Sequence, residues 1–389
     1  MARKRLVICC DGTWNDADVG TQFTNVVRMA RAIEAVDETT EESIKQIVYY
    51  HSGVGSGSDS LWQVVGGATG LGLSRNVRDA YAFIANNFCD GDELFFFGFS
   101  RGAYTVRSVA GLIGWAGILH KVDMDDFALL WEGFKLRKEP NAKDVRLHFP
   151  DRHADVTITC IGVWDTVGAL GIPGHLNALL AKFYEFQDTD LSHKVRNAFH
   201  ALAIDEHRSE FVPTLWKKQL DAPPEQHLEQ VWFAGAHSNV GGGYDEHGLS
   251  DVALAWMADR VGTMLAIDRR YLTDRQDRRN AWGLGRIYDS ATGIFGLLNK
   301  INRNICAGSD TCEAIHESVA VRFAAGQACP GGAYGPKSLP GRIAPGMAQQ
   351  SLGSLETTLR WPAADPRHLG GTGRPAPEAS DPLMRKLNI

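Results

Sequence analysis

The stretch Glu93-Leu94-Phe95-Phe96-Phe97-Gly98-Phe99-Ser100-Arg101-Gly102-Ala103-Tyr104 decides the fold of this chain. Leu94 to Phe97 form an unbroken apolar run, which reads as a strand buried on both faces. The run stops at Gly98. From about Ala103 the pattern turns helical, through Val106, Val109 and Ile113. Gly98-x-Ser100-x-Gly102 therefore lies between a strand and a helix, the setting a nucleophile elbow requires. A serine in such a turn is held at the C-terminal edge of a sheet. It also sits beside a helix N-terminus, which favours developing negative charge. G-x-S-x-G alone is a short pattern, and the competing reading is a glycine-rich turn whose serine caps the next helix. The flanking strand and helix favour the elbow.

Working outward, the same alternation repeats. Leu6-Val7-Ile8-Cys9-Cys10 reads as a first buried strand ending in Asp11-Gly12-Thr13-Trp14-Asn15, a turn cluster. Val26 to Ile33 marks a helix capped by Thr24 or Asn25, and Gln46–Tyr50 a second strand. A helix over about Val77–Phe88 leads into the elbow strand. Phe127–Leu136 reads as helical, Thr157–Trp164 as a strand ending in Asp165-Thr166-Val167-Gly168. Helical patterns are expected near Asn177–Phe186 and Lys194–Ile204. Gln230–Ala234 reads as the last clear strand, followed by Gly235-Ala236-His237-Ser238-Asn239 and a helix over about Asp251–Val261. Strands alternating with helices predict an α/β, α/β-hydrolase-like fold, with a mostly parallel sheet covered by helices on both faces. One catalytic domain is expected over residues 1–330, with a lid or excursion at about 264–310. The Pro- and Gly-rich segment 331–389 reads as a loosely ordered tail.

Composition narrows the function. The 389 residues are 44% hydrophobic and 22% charged, with a net charge of −6, as in a soluble globular protein. No Lys/Arg cluster with interleaved aromatics suggests nucleic acid, so no nucleic-acid partner is expected. No apolar run of membrane-spanning length exists, leaving at most peripheral membrane contact. Seven cysteines without a C-x-x-C pair read as buried thiols in a reducing compartment. The apolar run after Arg5 is too short for a signal peptide, so a cytoplasmic location, or export without such a peptide, is expected. Asp11-Gly12-Thr13 resembles the haloacid-dehalogenase phosphatase signature, but Cys9 stands where its aspartate nucleophile belongs. The glycines of Gly53–Gly57 and Gly66–Gly72 lack a Gly-Lys-Ser/Thr or a dinucleotide fingerprint, so no cofactor is expected.

Residues just past parallel strands converge on one sheet edge. Ser100, Asp165 and His237 all occupy such positions, in the chain order nucleophile, acid, histidine. The chemistry needs these types. A serine hydroxyl becomes nucleophilic when a base takes its proton. Histidine can take that proton and return it to a leaving group, and a buried carboxylate fixes the imidazole tautomer. The oxyanion would be held by the N–H of Arg101 and that of Gly12 or Thr13. Asp11, His51 and His316 are candidate pocket residues, His316 being the rival base. Asp205 and Glu206, with Arg208, read as an ion-pair network. No short metal-ligand spacing is present, so no metal is assigned.

The motifs Cys10-Asp11-Gly12-Thr13-Trp14-Asn15, Gly53-Val54-Gly55, Gly98-Phe99-Ser100-Arg101-Gly102-Ala103, Val163–Gly168, His200–Glu206 and Gly235–Tyr244 occur in that order. In this series the chain resembles the DUF2235 family, the catalytic domain of Tle1-type phospholipase effectors of type VI secretion. The resemblance spans roughly Leu6 to Arg322. It implies an α/β-hydrolase domain acting on lipid esters, with its nucleophile at Ser100, its acid at Asp165 and its histidine at His237. The expected substrate is an acyl ester or phospholipid. Two other readings stay open: a catalytically idle hydrolase fold that binds a ligand, and a metal-assisted phosphoester hydrolase built on Asp11 and nearby histidines.

Overall fold

The structure is a computed structural model and describes residues 3–12, 23–53, 70–167, 189–291, 300–306, 308–339, 349–350, 352–353, 356–357 and 360. The strands are β1 (Lys4–Cys10), β2 (Val36–Asp37), β3 (Ile44–His51), β4 (Glu93–Phe99), β5 (Ile158–Trp164), β6 (Val195–Ala203), β7 (His227–Phe233), β8 (Glu313–His316) and β9 (Gln349–Gln350). The helices are α1 (Asn25–Ala32), α2 (Gly70–Asn87), α3 (Arg101–Ala116), α4 (Phe127–Leu136), α5 (His237–Gly241), α6 (Gly248–Val261), α7 (Arg269–Asp274) and α8 (Glu317–Ala325). The strands form one sheet in the order β2-β3-β1-β4-β5-β6-β7-β8-β9. Every described pairing is parallel except β2 with β3.

The strand sequences explain this architecture. In β1, Leu6, Ile8 and Cys10 enter one apolar cluster while Val7 and Cys9 enter another; in β4, Leu94 and Phe96 oppose Phe95, Phe97 and Phe99. A strand with both faces apolar needs helices on both sides. Helices α2, α3 and α4 cover the first face, and α1 and α6 the second. Burial of each large apolar side chain contributes about 1.5–3 kcal/mol. No described helix is long and apolar enough to cross a membrane.

The chain leaves β1 for β3 on one side, then returns to place β4 on the other. The carboxyl ends of β1 and β4 thus flank a topological switch point, where open α/β sheets form their ligand crevice. Ser100 follows β4 at this point. Its two motif glycines are fixed by close backbone approach. A Cβ on Gly98 would lie 2.6 Å from the Cα of Ala103, and one on Gly102 would lie 2.1 Å from the carbonyl oxygen of Cys10. The second position lets α3 dock against the end of β1. Gly102→Ala should therefore lower unfolding stability by about 1–3 kcal/mol or more, read as a drop in urea midpoint. An unchanged midpoint would mean the elbow helix can shift away from β1 at no cost.

Two expectations need correction. The segment Lys194–Ile204, expected as a helix, is strand β6, in the middle of the sheet. Its residues from Ala198 to Ala203 are all buried. A short apolar run buried on both faces carries no period that separates strand from helix. Likewise Gln230–Ala234 is not the last strand, since β8 and β9 extend the sheet beyond it. A few described residues after 330 pack on the domain. Leu339 is buried, Tyr334 donates to Asp205 at 2.9 Å, and Glu356 is fully buried against His316. The expected helix Asn177–Phe186, the glycine loops within 54–69 and residues 292–299 of the expected lid or excursion lie outside the described residues.

Candidate active site

Three strand ends set the site. The N–H of Ser100 donates to the carbonyl of Trp164, and that of Asp165 to the carbonyl of Ala201. Each residue is thus pinned by the strand beside its own. Ser100 has φ 56° and ψ −122°, a left-handed conformation that costs a non-glycine residue of order 1–3 kcal/mol. It occupies the N-cap position of α3, yet its side chain makes no cap hydrogen bond. That removes the capping explanation for the serine and leaves the hydroxyl over the helix N-terminus, 8% exposed as a residue. Asp165 is also left-handed, at φ 39°, and is fully buried.

His237 begins α5, two residues after Gly235, which takes a φ of 115°. Its Nδ1 lies 2.6 Å from Oδ2 of Asp165. Its ring lies 4.5 Å, centroid to centroid, from Phe99, the residue before Ser100, and 5.0 Å edge-on to Phe211. Phe99 in turn packs where a Cβ on Gly241 would sit. The elbow and α5 are therefore locked together through Phe99. With an ionised carboxylate on Nδ1, that nitrogen carries the hydrogen and Nε2 is the basic one. Burial lowers the imidazole pKa below its ordinary value, and the hydrogen bond and charge of Asp165 offset this only in part.

Asp165 has a partner that the sequence reading missed. Arg303 donates from Nη1 to Oδ1 at 2.6 Å and from Nη2 to Oδ2 at 3.0 Å. The same guanidinium donates to the carbonyls of Ala203 and Phe211. Asp165 also accepts from the N–H of Ala203 at 3.0 Å. Burial alone would raise the Asp165 carboxyl. The Arg303 charge and the His237 hydrogen bond outweigh it and hold the group well below the usual carboxylate range. No signal in the sequence marks Arg303 among the arginines of its polar segment.

Around this centre the other candidates divide. Glu206 receives the N–H of His237 at 3.3 Å and the hydroxyl of Ser290 at 2.9 Å, and pairs with Arg208. Burial raises its pKa, but Arg208 brings it down to about 2. Asp205 receives the N–H of Gly235 at 2.7 Å. Glu206 thus forms the expected ion pair with Arg208, while Asp205 accepts hydrogen bonds from Gly235 and Tyr334 instead; both follow strand β6 rather than a helix. Asp11 accepts from the N–H of Gly12 at 2.6 Å and from the hydroxyls of Thr24 and Tyr50. Burial raises its carboxyl to about 6. Its oxygens therefore organise the loop after β1 and the start of α1. The N–H of Gly12 is turned to that carboxylate, and Thr13 lies outside the described residues. Arg101 is the first residue of α3, where N–H groups have no acceptor within the helix. His51 ends β3, on the far side of β1 from Ser100. His316, the rival base, is held elsewhere. Its Nδ1 lies 2.8 Å from Oγ of Ser318, and its Nε2 lies 2.7 Å from Glu356. Both ring nitrogens are committed, so it is a packed core histidine.

Residues 4–260 match the sequence family described as the catalytic domain of Tle1-like phospholipase effectors of the type VI secretion system. The chain belongs to this Tle1-like family. Residues Ser100, Asp165 and His237 fall inside the matched span, and Arg303 and His316 fall beyond it. Among curated proteins, the uncharacterized protein YEL023C of Saccharomyces cerevisiae (strain ATCC 204508 / S288c) is 29% identical over 254 residues. That alignment takes in 59% of this chain and 34% of the yeast protein. Among solved structures, a Tle1 effector bound to the VgrG spike from the type 6 secretion system aligns at 17% identity with a TM-score of 0.36. It covers 63% of this chain and 52% of that one. The chain thus spans about a third of the curated relative and half of the solved one.

Proposed function

We propose that the chain is a serine hydrolase that cleaves carboxylic esters of lipids through Ser100, His237 and Asp165. The observation that carries this reading is the strained, uncapped Ser100 at the switch point, next in the chain to Phe99, whose ring packs on a histidine oriented by a buried carboxylate. Membership of a phospholipase effector family favours lipid acyl esters as the substrate class.

In this reading Ser100 Oγ attacks the ester carbonyl while Nε2 of His237 takes its proton. The carbonyl oxygen becomes an oxyanion, held by the N–H of Arg101 and by a second N–H from the loop after β1, for which Thr13 is the remaining candidate because the N–H of Gly12 is engaged by Asp11. Collapse breaks the bond to the alcohol oxygen, and His237 returns the proton to it. Water, deprotonated by the same nitrogen, then attacks the acyl-enzyme and releases the fatty acid and Ser100. Asp165 stays ionised throughout and stabilises the imidazolium.

Two measurements test the proposal. Phosphatidylcholine vesicles and p-nitrophenyl esters should both yield free acid, with an acyl adduct on Ser100 seen by mass spectrometry in the pre-steady state. Labelling of Ser100 by a fluorophosphonate without turnover of any ester would favour the idle binding fold instead. Loss of activity in chelator would favour the phosphoester reading. The pH profile gives a further expectation. The base must be neutral, and burial lowers its pKa. The acid limb of kcat/KM should therefore have its midpoint below the ordinary histidine value of about 6.5. A midpoint clearly above that value would mean that His237 is not the titrating group.

A further inference from the structure

A cavity of about 460 Å³ lies along the second half of α3, between that helix, the end of α4 and the residues that lead into β6. It is at the other end of α3 from Ser100. Neither Ser100, Asp165, His237 nor Arg303 is among its lining residues. Its volume falls in the range of about 300–1,000 Å³ typical of small-molecule sites.

The lining is unusual in one residue. Arg107 is only 6% exposed. Its Nη1 donates to the carbonyl of Thr214, and its guanidinium lies 4.3 Å over the ring of Trp216. Its Nη2 is buried with no hydrogen-bond partner among the described residues. No described carboxylate forms an ion pair with it. Asp190 lines the cavity too, at an exposed position. The other basic groups are already matched: Lys194 pairs with Asp155 and His193 with Asp221. The guanidinium of Arg137 lies 3.9 Å over the ring of Phe134. Burial pushes the Arg107 pKa down to about 9, the direction expected of a cation without a counter-ion.

An uncompensated buried cation costs several kcal/mol, and a guanidinium whose Nη2 has no hydrogen-bond partner among the described residues has the geometry to take two oxygens of one anion once its side chain shifts toward the cavity. Carboxylate and phosphate share that shape. One unmatched positive charge fits the single charge of a carboxylate better than the greater charge of a phosphate monoester. Trp115, Phe134 and Leu191 supply apolar surface beside it. We propose that this cavity is a binding site for a carboxylate carried on a short apolar chain, with the carboxylate seated on Arg107.

The test is calorimetric titration of the full chain with octanoate, 1-octanol and inorganic phosphate. Tryptophan emission from Trp115 and Trp216 serves as a second readout. Octanoate is expected to bind about ten- to a hundredfold more tightly than 1-octanol, the factor a charge-assisted hydrogen-bonded pair supplies. Arg107→Met should remove that difference, and Arg107→Lys should retain part of it. Equal binding of octanoate and octanol to the wild-type chain would overturn the proposal whether or not the variants fold. So would octanoate binding that survives in a folded Arg107→Met protein. Saturable binding of inorganic phosphate with none of octanoate would overturn the carboxylate assignment and make the cavity a phosphate site.

Discussion

Ser100→Ala is expected to lower ester turnover by at least about 10⁴-fold, because nucleophile and base act as a unit and removing either forfeits nearly all of their joint effect. The same substitution should abolish fluorophosphonate labelling. It should leave the urea midpoint nearly unchanged, since the lost hydroxyl makes no cap hydrogen bond. His237→Gln should lower turnover to a similar degree. Asp165→Asn should cost about 10⁴-fold, because an amide at that position stabilises the wrong imidazole tautomer. Turnover in Ser100→Ala within tenfold of wild type would discard the serine mechanism. The backbone adds a second readout. At φ 56° a glycine is relaxed where serine or alanine is strained. Ser100→Gly should therefore be more stable than Ser100→Ala as well as inactive, the relation expected when conformational strain is kept at a working residue.

Arg303→Gln is expected to have the second largest effect, on stability and on pH dependence together. Removing one partner of a buried ion pair leaves the other uncompensated and costs about 3–5 kcal/mol. Asp165 would then hold a buried charge supported by His237 and the N–H of Ala203. Its folded pKa lies below its unfolded value. Its contribution to stability is thus present above about pH 4 and lost as pH falls through the folded pKa. Arg303→Gln should shrink that contribution, so the variant should lose less stability than wild type on acidification. The unneutralised carboxylate should also draw the imidazole pKa upward. The acid limb of kcat/KM should follow. A purely structural role would lower melting temperature and leave that limb where it was, which would remove Arg303 from the positioning of the acid. Arg303→Lys keeps the charge but loses the two-pronged geometry, and should fall between.

The parts of this molecule that could be read from sequence are those where residue type changes sharply. Leu94–Phe97 ends at a glycine, Ile158–Trp164 at an aspartate, and Val231–Phe233 at a Gly-Ala-His turn. Each change marks a strand end, and a parallel sheet brings strand ends together. The strand β6 was harder. Ala, Leu, Phe and His in its centre carry neither alternation nor β-branched enrichment, and its burial on both faces is a property of neighbours. Four-residue β8 gives too short a pattern to register. Arg303 lies 138 residues beyond Asp165 in a segment whose many arginines look alike. What distinguishes it is a contact formed only after the sheet has assembled.

That contact bears on how the chain can be cut. The span recognised as the Tle1-like domain stops at residue 260, and it holds Ser100, Asp165 and His237. A fragment trimmed to that span would carry all three and lack the guanidinium that grips Asp165. Transplanting this domain into a chimera by its family boundary should therefore give a protein with Ser100, His237 and Asp165 all present and Asp165 untethered. The smallest portable unit runs past the boundary, at least through Arg303.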